Sequence, residues 1–543
     1  MLLVAVPAPA AERVRTILVF PFDNQSSLTA LAWLPEGFAE LVSRRLAADN
    51  RYVFGRDQRD AACEQAKVTL GAPLTLASKY QVAGVLGAEW AVVGSFNLQG
   101  DLLTARAQLF DVRSMKLFPP LDAEGKLSEL DDISTRLVWR LLATHDPKFT
   151  TGSEEDFRHR FPPIHLDAFE SYVRGILSTD PDNRIALLTE ADRRDPTDRH
   201  AAFELGKSYF NGKDYAQANQ WLSKVLPKDD GYAEALFMTG VGEFFLGHIP
   251  ASERPFRTLE SMVPLGEVAN NLGVMESRQK RYEEALAQFD RGHQSDPSDP
   301  DYSFNRSVCF WQLKRFDEAT KSLRETLEAD PDDTEAHAIL AEVLGKLGDS
   351  AGREKELSRS GGIAGRGGPP ANPSDPAAAG EDFQPLTRLK KNFDGRAFQL
   401  LSLALENERE ERLAGLSPEQ RALADLARGK DLQAAGRPAE AERELAEAVA
   451  LDPKSDAAHQ ALGEVLEAEG KHTDATAEAE AALRLKDSAA AHLLLANIYL
   501  TLHRLDPARE QVRSALGLEP SNPAAQKLME RIQSLTLGSG SSP

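Results

Sequence analysis

The stretch RYEEALAQFDRGHQSDPSD, Arg281 to Asp299, returns almost in kind as RFDEATKSLRETLEADPDD, Arg315 to Asp333. Each copy opens on a basic residue and an aromatic, runs as an amphipathic helix, and ends at Asp-Pro. Ala285 and Phe289 in the first copy, and Ala319 and Leu323 in the second, recur at the i, i+4 spacing of one helical face. Pro297 and Pro331 stop the helix, because proline lacks an amide proton and clashes with the preceding turn. Upstream of each copy lies a second helix with a small residue at its centre, Gly273 in Leu272-Gly273 and Ser307 ahead of Phe310. A period of this size marks a solenoid of helix pairs.

Working outward, the same register appears at Leu205-Gly206 with Tyr209, Ala218 and Leu222, and at Thr239-Gly240 with Phe256 and Pro264. It appears again at Leu340-Ala341. Tyr172, Gly175, Leu188, Ala191 and Pro196 fit an irregular first unit if its middle turn is shortened. A second series follows: Gly429, Ala441, Leu445, Ala448 and Pro453; then Leu462-Gly463, Ala475 and Ala482; then Leu495-Ala496, Tyr499, Ala508, Ala515 and Pro520. Ordering a helix pair costs about 1–2 kcal/mol per residue in backbone entropy. One pair leaves an apolar face wet, and stacking in phase buries it.

These motifs resemble the tetratricopeptide-repeat family over roughly 164–348 and 416–532. The resemblance implies an α-solenoid with a concave, polypeptide-binding groove lined by the first helix of each pair. The groove positions lie just before the packing Leu-Gly and one turn after it. Asn271 and Asn305 occupy equivalent places there, and some members of the family hold a peptide backbone with an asparagine ladder. A carboxamide offers one donor and one acceptor, so it can pair with main-chain groups whatever the peptide sequence. Phe237, Phe244, Phe304 and Trp311 fall on the same side as apolar anchors; core packing is the competing reading for Phe304 and Trp311. The ladder is short, because Glu204 and Met238 stand at the equivalent places in other units.

Before the repeats the pattern changes. Arg15–Phe22 reads as a buried strand, Leu34–Asn50 as an amphipathic helix and Arg51–Gly55 as a short strand. Leu76–Ala88 reads as a helix ended by Gly87. Two strands joined at Asn97–Asp101, with Gly100 in the turn, and a helix over Leu127–Ala143 complete an α/β unit. Pro21-Phe22-Asp23-Asn24, Leu86-Gly87-Ala88-Glu89 through Ser95, and Ala107–Asp111 resemble motifs of the TolB N-terminal-like and FlgO-like domains. That likeness implies an assembly role in a bacterial envelope or signalling setting.

The expected architecture is mostly α: a tetratricopeptide α-solenoid in two arrays preceded by a small α/β domain. The boundaries are a signal-like or disordered tail over 1–13, the α/β domain over 14–148, array one over 164–350, a flexible Gly/Pro/Ala-rich linker over 351–386, a partly helical connector over 387–413 that docks on one of the arrays, array two with its capping helix over 414–535, and a disordered tail over 536–543. The apolar start ending in Ala8 and Ala10 points to a periplasmic or exported protein, with a cytoplasmic one as the alternative.

With 84 acidic against 63 basic residues and a net charge of −21, the surface repels nucleic-acid backbones. Cys63 and Cys309, the only two cysteines, make no disulfide framework. No phosphate loop, zinc helix or nucleophile elbow is present. His159 and His165 lack a third ligand, Asp23 and Asn24 read as a turn, and Asp332-Asp333 as helix N-terminal charge. The expectation is therefore a non-catalytic scaffold for protein or extended peptide partners, with no cofactor, no metal, no nucleic acid and no transmembrane segment. The alternative is a ligand-binding regulator or enzyme with its activity in the α/β domain.

Overall fold

The structure is a computed structural model that describes residues 15–26, 28–47, 51–69, 74–147, 149, 152–161, 163–361, 385–434 and 437–539. It divides into two compact units at Asn407/Glu408.

In the first unit, β1 (Arg15–Val19), β2 (Asp23–Asn24), α1 (Leu34–Leu46), β3 (Arg51–Phe54), α2 (Arg56–Gln65) and α3 (Leu76–Leu86) precede β4 (Trp90–Gln99), β5 (Leu102–Asp111), β6 (Lys116–Leu117), β7 (Leu121–Lys126) and α4 (Leu130–His145). β1 lies parallel between β3 and β4, β5 pairs antiparallel with β4, and β6 and β7 both pair with β5. The β4–β5 hairpin turns at Gly100, whose φ of +61° suits a residue without a Cβ. Besides the two-residue strands β2 and β6, the sequence reading lacks α2 and β7. The ten residues of α2, RDQRDAACEQ, show only Arg59, Ala62 and Cys63 to the core. The strand β7, LDAEGK, is held by its ladder to β5 rather than by an apolar face.

A short helix α5 (Glu154–His159) leads into six antiparallel pairs. They are α6–α7 (Leu166–Leu177, Pro181–Arg194), α8–α9 (His200–Asn211, Tyr215–Leu222), α10–α11 (Tyr232–Phe245, Ile249–Met262), α12–α13 (Gly266–Arg278, Tyr282–Ser295), α14–α15 (Pro300–Gln312, Phe316–Ala329) and α16–α17 (Thr334–Leu347, Ser350–Arg359). The helix α17 lies in the stretch read as flexible linker. Its apolar content is too low to announce it, but Asp349 caps it and Glu356 bonds buried His337 at 2.6 Å. The remainder of that linker, 362–384, lies outside the described residues.

The helices of a pair approach closely because the first carries a small residue. A Cβ added at Gly206, Gly240 or Gly273 would stand 2.4–2.7 Å from the side chain of Leu222, Phe256 or Phe289. In five of these six pairs the turn places one residue in the left-handed region; the shorter α6–α7 turn has none. Gly247 and Gly348 fill that place at φ +82° and +83°, and Lys213, Lys280 and Lys314 at +59° to +63°.

The α/β head and the first repeats share one core. Trp33 and Phe38 belong to the same buried cluster as Phe169, Tyr172, Val173 and Leu188. Trp33 meets Phe169 edge-on at 6.1 Å, and Arg44 of α1 bonds Asp198 at 3.2 Å. The head thus covers the apolar edge that a terminal repeat would otherwise expose.

The second unit holds α19–α20 (Pro418–Ala434, Pro438–Leu451), α21–α22 (Asp456–Ala468, His472–Leu485), α23–α24 (Ala489–Thr501, Leu505–Leu518) and the closing helix α25 (Pro523–Ser539); α18 (Gly395–Leu413) spans the boundary between the units. The close approach recurs here, with a Cβ on Gly429 standing 2.4 Å from Leu445. His459 repeats the tie made by His337, bonding Glu478 at 2.6 Å. The helix α25 runs into the residues read as a tail, since neither Thr536 nor Leu537 breaks a helix; 540–543 lie outside the described residues. No described helix is long and apolar enough to cross a membrane.

Candidate functional site: the groove of the first array

Gly273 of α12 lies close against Phe289 of α13, and that approach fixes the rotation of α12. Asn270 and Asn271 on α12 and Asn305 on α14 are all fully buried. What buries them is the chain itself. Residues 385–394, which precede α18 (Gly395–Leu413), have no helix or strand of their own and lie across these helices.

The contact is made to main chain. Asn305 Oδ1 accepts from the Arg388 amide at 2.6 Å, and its Nδ2 donates to the Arg388 carbonyl at 2.8 Å. Asn271 Oδ1 accepts from the Lys390 amide at 2.8 Å, and its Nδ2 donates to the Lys390 carbonyl at 2.9 Å. Asn270 ties the two together: its Nδ2 donates to the Arg388 carbonyl at 2.9 Å, and its Oδ1 accepts from Asn305 Nδ2 at 2.8 Å. In an extended chain the amide and carbonyl of residue i and those of residue i+2 face the same side. Carboxamides one repeat apart therefore read every second residue of an extended polypeptide.

The side chains of the segment meet an acidic and aromatic wall. Arg388 bonds Asp333 at 2.7 and 2.9 Å and Glu335 at 3.0 Å, with its guanidinium 3.4 Å from the centre of the Phe304 ring. Lys390 Nζ lies 2.8 Å from Asp299 and within bonding distance of Asp301 at 2.5 Å. Phe393 packs on Phe237 with ring centres 5.4 Å apart, and the Asp394 amide donates to Glu267 at 3.1 Å. Burial alone would lower the Arg388 and Lys390 pKa values; their carboxylate partners override it and hold both above the ordinary range. Burial would likewise raise Asp333, and the hydrogen bond from Arg388 carries it below the usual 3.8 instead.

The sign for Asp333 follows from that depression. Its contribution to docking is complete above pH 3.8 and is lost as pH falls through the lower folded value. Protection of the Arg388 and Lys390 amides, each rate taken relative to that of an unstructured chain at the same pH, is therefore expected to hold through neutral pH and to fall in acid ahead of that of α13. Exchange measured by mass spectrometry across a pH series checks it; loss of protection near neutrality would contradict it.

Of the residues singled out from sequence, the structure brings Asn271, Asn305, Phe237 and Phe304 together around this segment. Phe304 and Phe237 are both fully buried in the core, and each also touches the segment, Phe304 at Arg388 and Phe237 at Phe393. Phe244 packs on Phe245 with Arg278 over its ring, and Trp311 meets Phe316 at 5.7 Å. Asn270, Asp299, Asp301 and Glu335 were missed. The Asn-Asn pair was the available signal for Asn270, but the acidic residues read as ordinary helix starts. Asp333 does cap α16, and it holds Arg388 with the same carboxylate.

Elsewhere, a cleft of ≈ 290 Å³ in the head is lined by Gln25, Ser95, Asn97, Thr104, Arg106 and Asp122 among others. Asp23 pairs with Lys79 at 3.1 Å, and Asn24 accepts from the Ser26 amide at 2.8 Å in a turn. Among the described residues no three His, Cys, Asp or Glu side chains cluster as metal ligands. Cys63 and Cys309 are buried free thiols, and burial raises the Cys309 pKa to about 12.

The helix pairs, their small crossing residues and their left-handed turns define a tetratricopeptide-repeat solenoid. Family profiles described as tetratricopeptide repeat match 278–343, 426–490 and 466–532. Among curated proteins, the TPR repeat-containing thioredoxin TTL4 of Arabidopsis thaliana is 33% identical over 95 residues, 18% of this chain and 14% of that protein. Protein FlbA of Caulobacter vibrioides is 28% identical over 141 residues, 26% of this chain and 24% of its own length. The chain thus spans under a quarter of either relative. Among solved structures, MamA is 20% identical with a TM-score of 0.27, covering 30% of this chain and 94% of its own. A tetratricopeptide repeat protein from Parabacteroides merdae is 14% identical with a TM-score of 0.23, covering 55% of this chain and 98% of its own. Likenesses of that size carry nothing about function.

Proposed function

We infer that this chain is a non-catalytic scaffold that holds partner polypeptides as extended segments in the groove of its first array. The observation that supports it is the set of four hydrogen bonds by which Asn271 and Asn305 grip the amide and carbonyl of alternate residues. Contacts to main chain give affinity without demanding a sequence, and side-chain pockets add selection. The head's resemblance to envelope and signalling domains favours an assembly of that kind as the setting.

The test is capture of polypeptides by the full chain carrying Arg388→Asp/Lys390→Asp, which removes the charges that seat its own segment in the groove, and by the same form with Asn271→Ala/Asn305→Ala added. Recovery is expected to fall roughly tenfold or more, as loss of charge-neutral hydrogen bonds worth about 1 kcal/mol each requires. Helical circular dichroism should be unchanged. Equal recovery by both forms would remove the groove from the function.

A further inference from the structure

We propose that the partner of this groove carries the pattern basic–x–basic–x–x–aromatic, and that Arg388 to Phe393 is a resident copy of that pattern which the partner displaces. The proposal rests on the groove reading above and adds the sequence class of the partner and the gate before it.

The pattern is read from the occupied groove. The first basic position meets Asp333 and Glu335 and lies over the Phe304 ring. The second, two residues on and so on the same face of an extended chain, meets Asp299 and Asp301. The aromatic position meets Phe237, a fully buried ring at the far end. Four carboxylates gathered on one wall repel an acidic or neutral segment and favour a basic one. In a chain of net charge −21, the run Arg388-Leu389-Lys390-Lys391 is a local exception in charge, and it sits against that wall.

The gate follows from connectivity. The segment belongs to the same polypeptide as the groove and is joined to it through 362–384 on one side. Being on the same chain, the segment meets the groove at an effective concentration that does not fall with dilution. A free partner must compete with this, and its apparent affinity falls by the fraction of time the groove stands open. Because the bonds from Asn271 and Asn305 to the segment all go to its main chain, exchange of one extended segment for another keeps them.

The experiment uses a fluorescent peptide, LTRLKKNF, and a scrambled peptide of the same composition. Both are offered to three full-length proteins: the unaltered chain, Arg388→Asp/Lys390→Asp, and the latter with Asn271→Ala/Asn305→Ala added. Anisotropy is expected to show at least about tenfold tighter binding of LTRLKKNF to the Arg388→Asp/Lys390→Asp form than to the unaltered chain. The gain should vanish on adding the asparagine changes, and the scrambled peptide should bind at least about tenfold more weakly, as a misplaced charge pair and aromatic require. No gain in the Arg388→Asp/Lys390→Asp form would overturn the gate, while asparagine-dependent capture of other polypeptides would leave the groove reading standing. Equal binding of the scrambled peptide would overturn the pattern. A dimer that Arg388→Asp/Lys390→Asp converts to a monomer would put the segment in a second copy's groove and overturn the resident arrangement.

Discussion

In the Asn271→Ala/Asn305→Ala chain, trypsin is expected to cut after Arg388 and Lys390 roughly 10²–10³ times faster than in the unaltered chain, from about 1 kcal/mol for each of four hydrogen bonds. Cleavage of a transiently exposed segment tracks the population of its open form when opening and closing are fast. The four bonds lost to the segment are those to the Arg388 and Lys390 amides and carbonyls, and the Asn305 bond to Asn270 goes with them. Asn270 keeps its single bond to the Arg388 carbonyl, so release is large rather than complete. The solenoid itself should persist, because the core beneath is made by Leu272, Phe289, Val308 and Leu323, all buried and untouched. Mass spectrometry of the fragments reads the rate, and an unchanged rate would mean that the salt bridges alone hold the segment.

The second large effect belongs to the other unit. Arg409 reaches Asp425 at 2.6 Å and Glu444 at 3.2 Å, and those carboxylates are only 2% and 3% exposed. Arg428 and Arg443 also approach Glu444, at 3.7 and 3.2 Å, so Asp425 depends most on Arg409. Replacing Arg409 with Met leaves a buried carboxylate without its cation and is expected to cost about 3–5 kcal/mol. Urea unfolding of the second unit, followed by circular dichroism, should show a midpoint lowered to match. Adding Asp425→Asn should recover part of the loss, since it removes the unpaired charge rather than a further bond. A loss no larger than that of an exposed arginine would show that the cluster is solvated.

Much of this fold was legible because its physics is periodic. The same crossing glycine, bulky contact and terminal proline recur, so each unit corroborates its neighbours, and Gly175–Leu188 could be placed despite its shortened turn. The asparagines were legible for a similar reason: Asn271 and Asn305 hold one register position in adjacent repeats. What covers them was not. The segment around Arg388 has no periodicity, and its place depends on hydrogen bonds and charges from residues more than fifty positions away. Helix α17 was hidden because its stability comes from a buried His337–Glu356 contact rather than an apolar stripe. The continuity of the head's core with the first repeats was hidden too, since Trp33 and Phe169 each read as ordinary core residues of separate elements.

The most direct measurement is amide hydrogen exchange of the unaltered full chain, resolved to single residues over 385–394. Slow exchange is expected at Arg388 and Lys390, whose amides Asn305 and Asn271 hold, with faster exchange at Leu389 between them. Fast exchange at all three positions would mean that the groove does not hold this segment, and the reading of the asparagines as a main-chain clamp would fall with it.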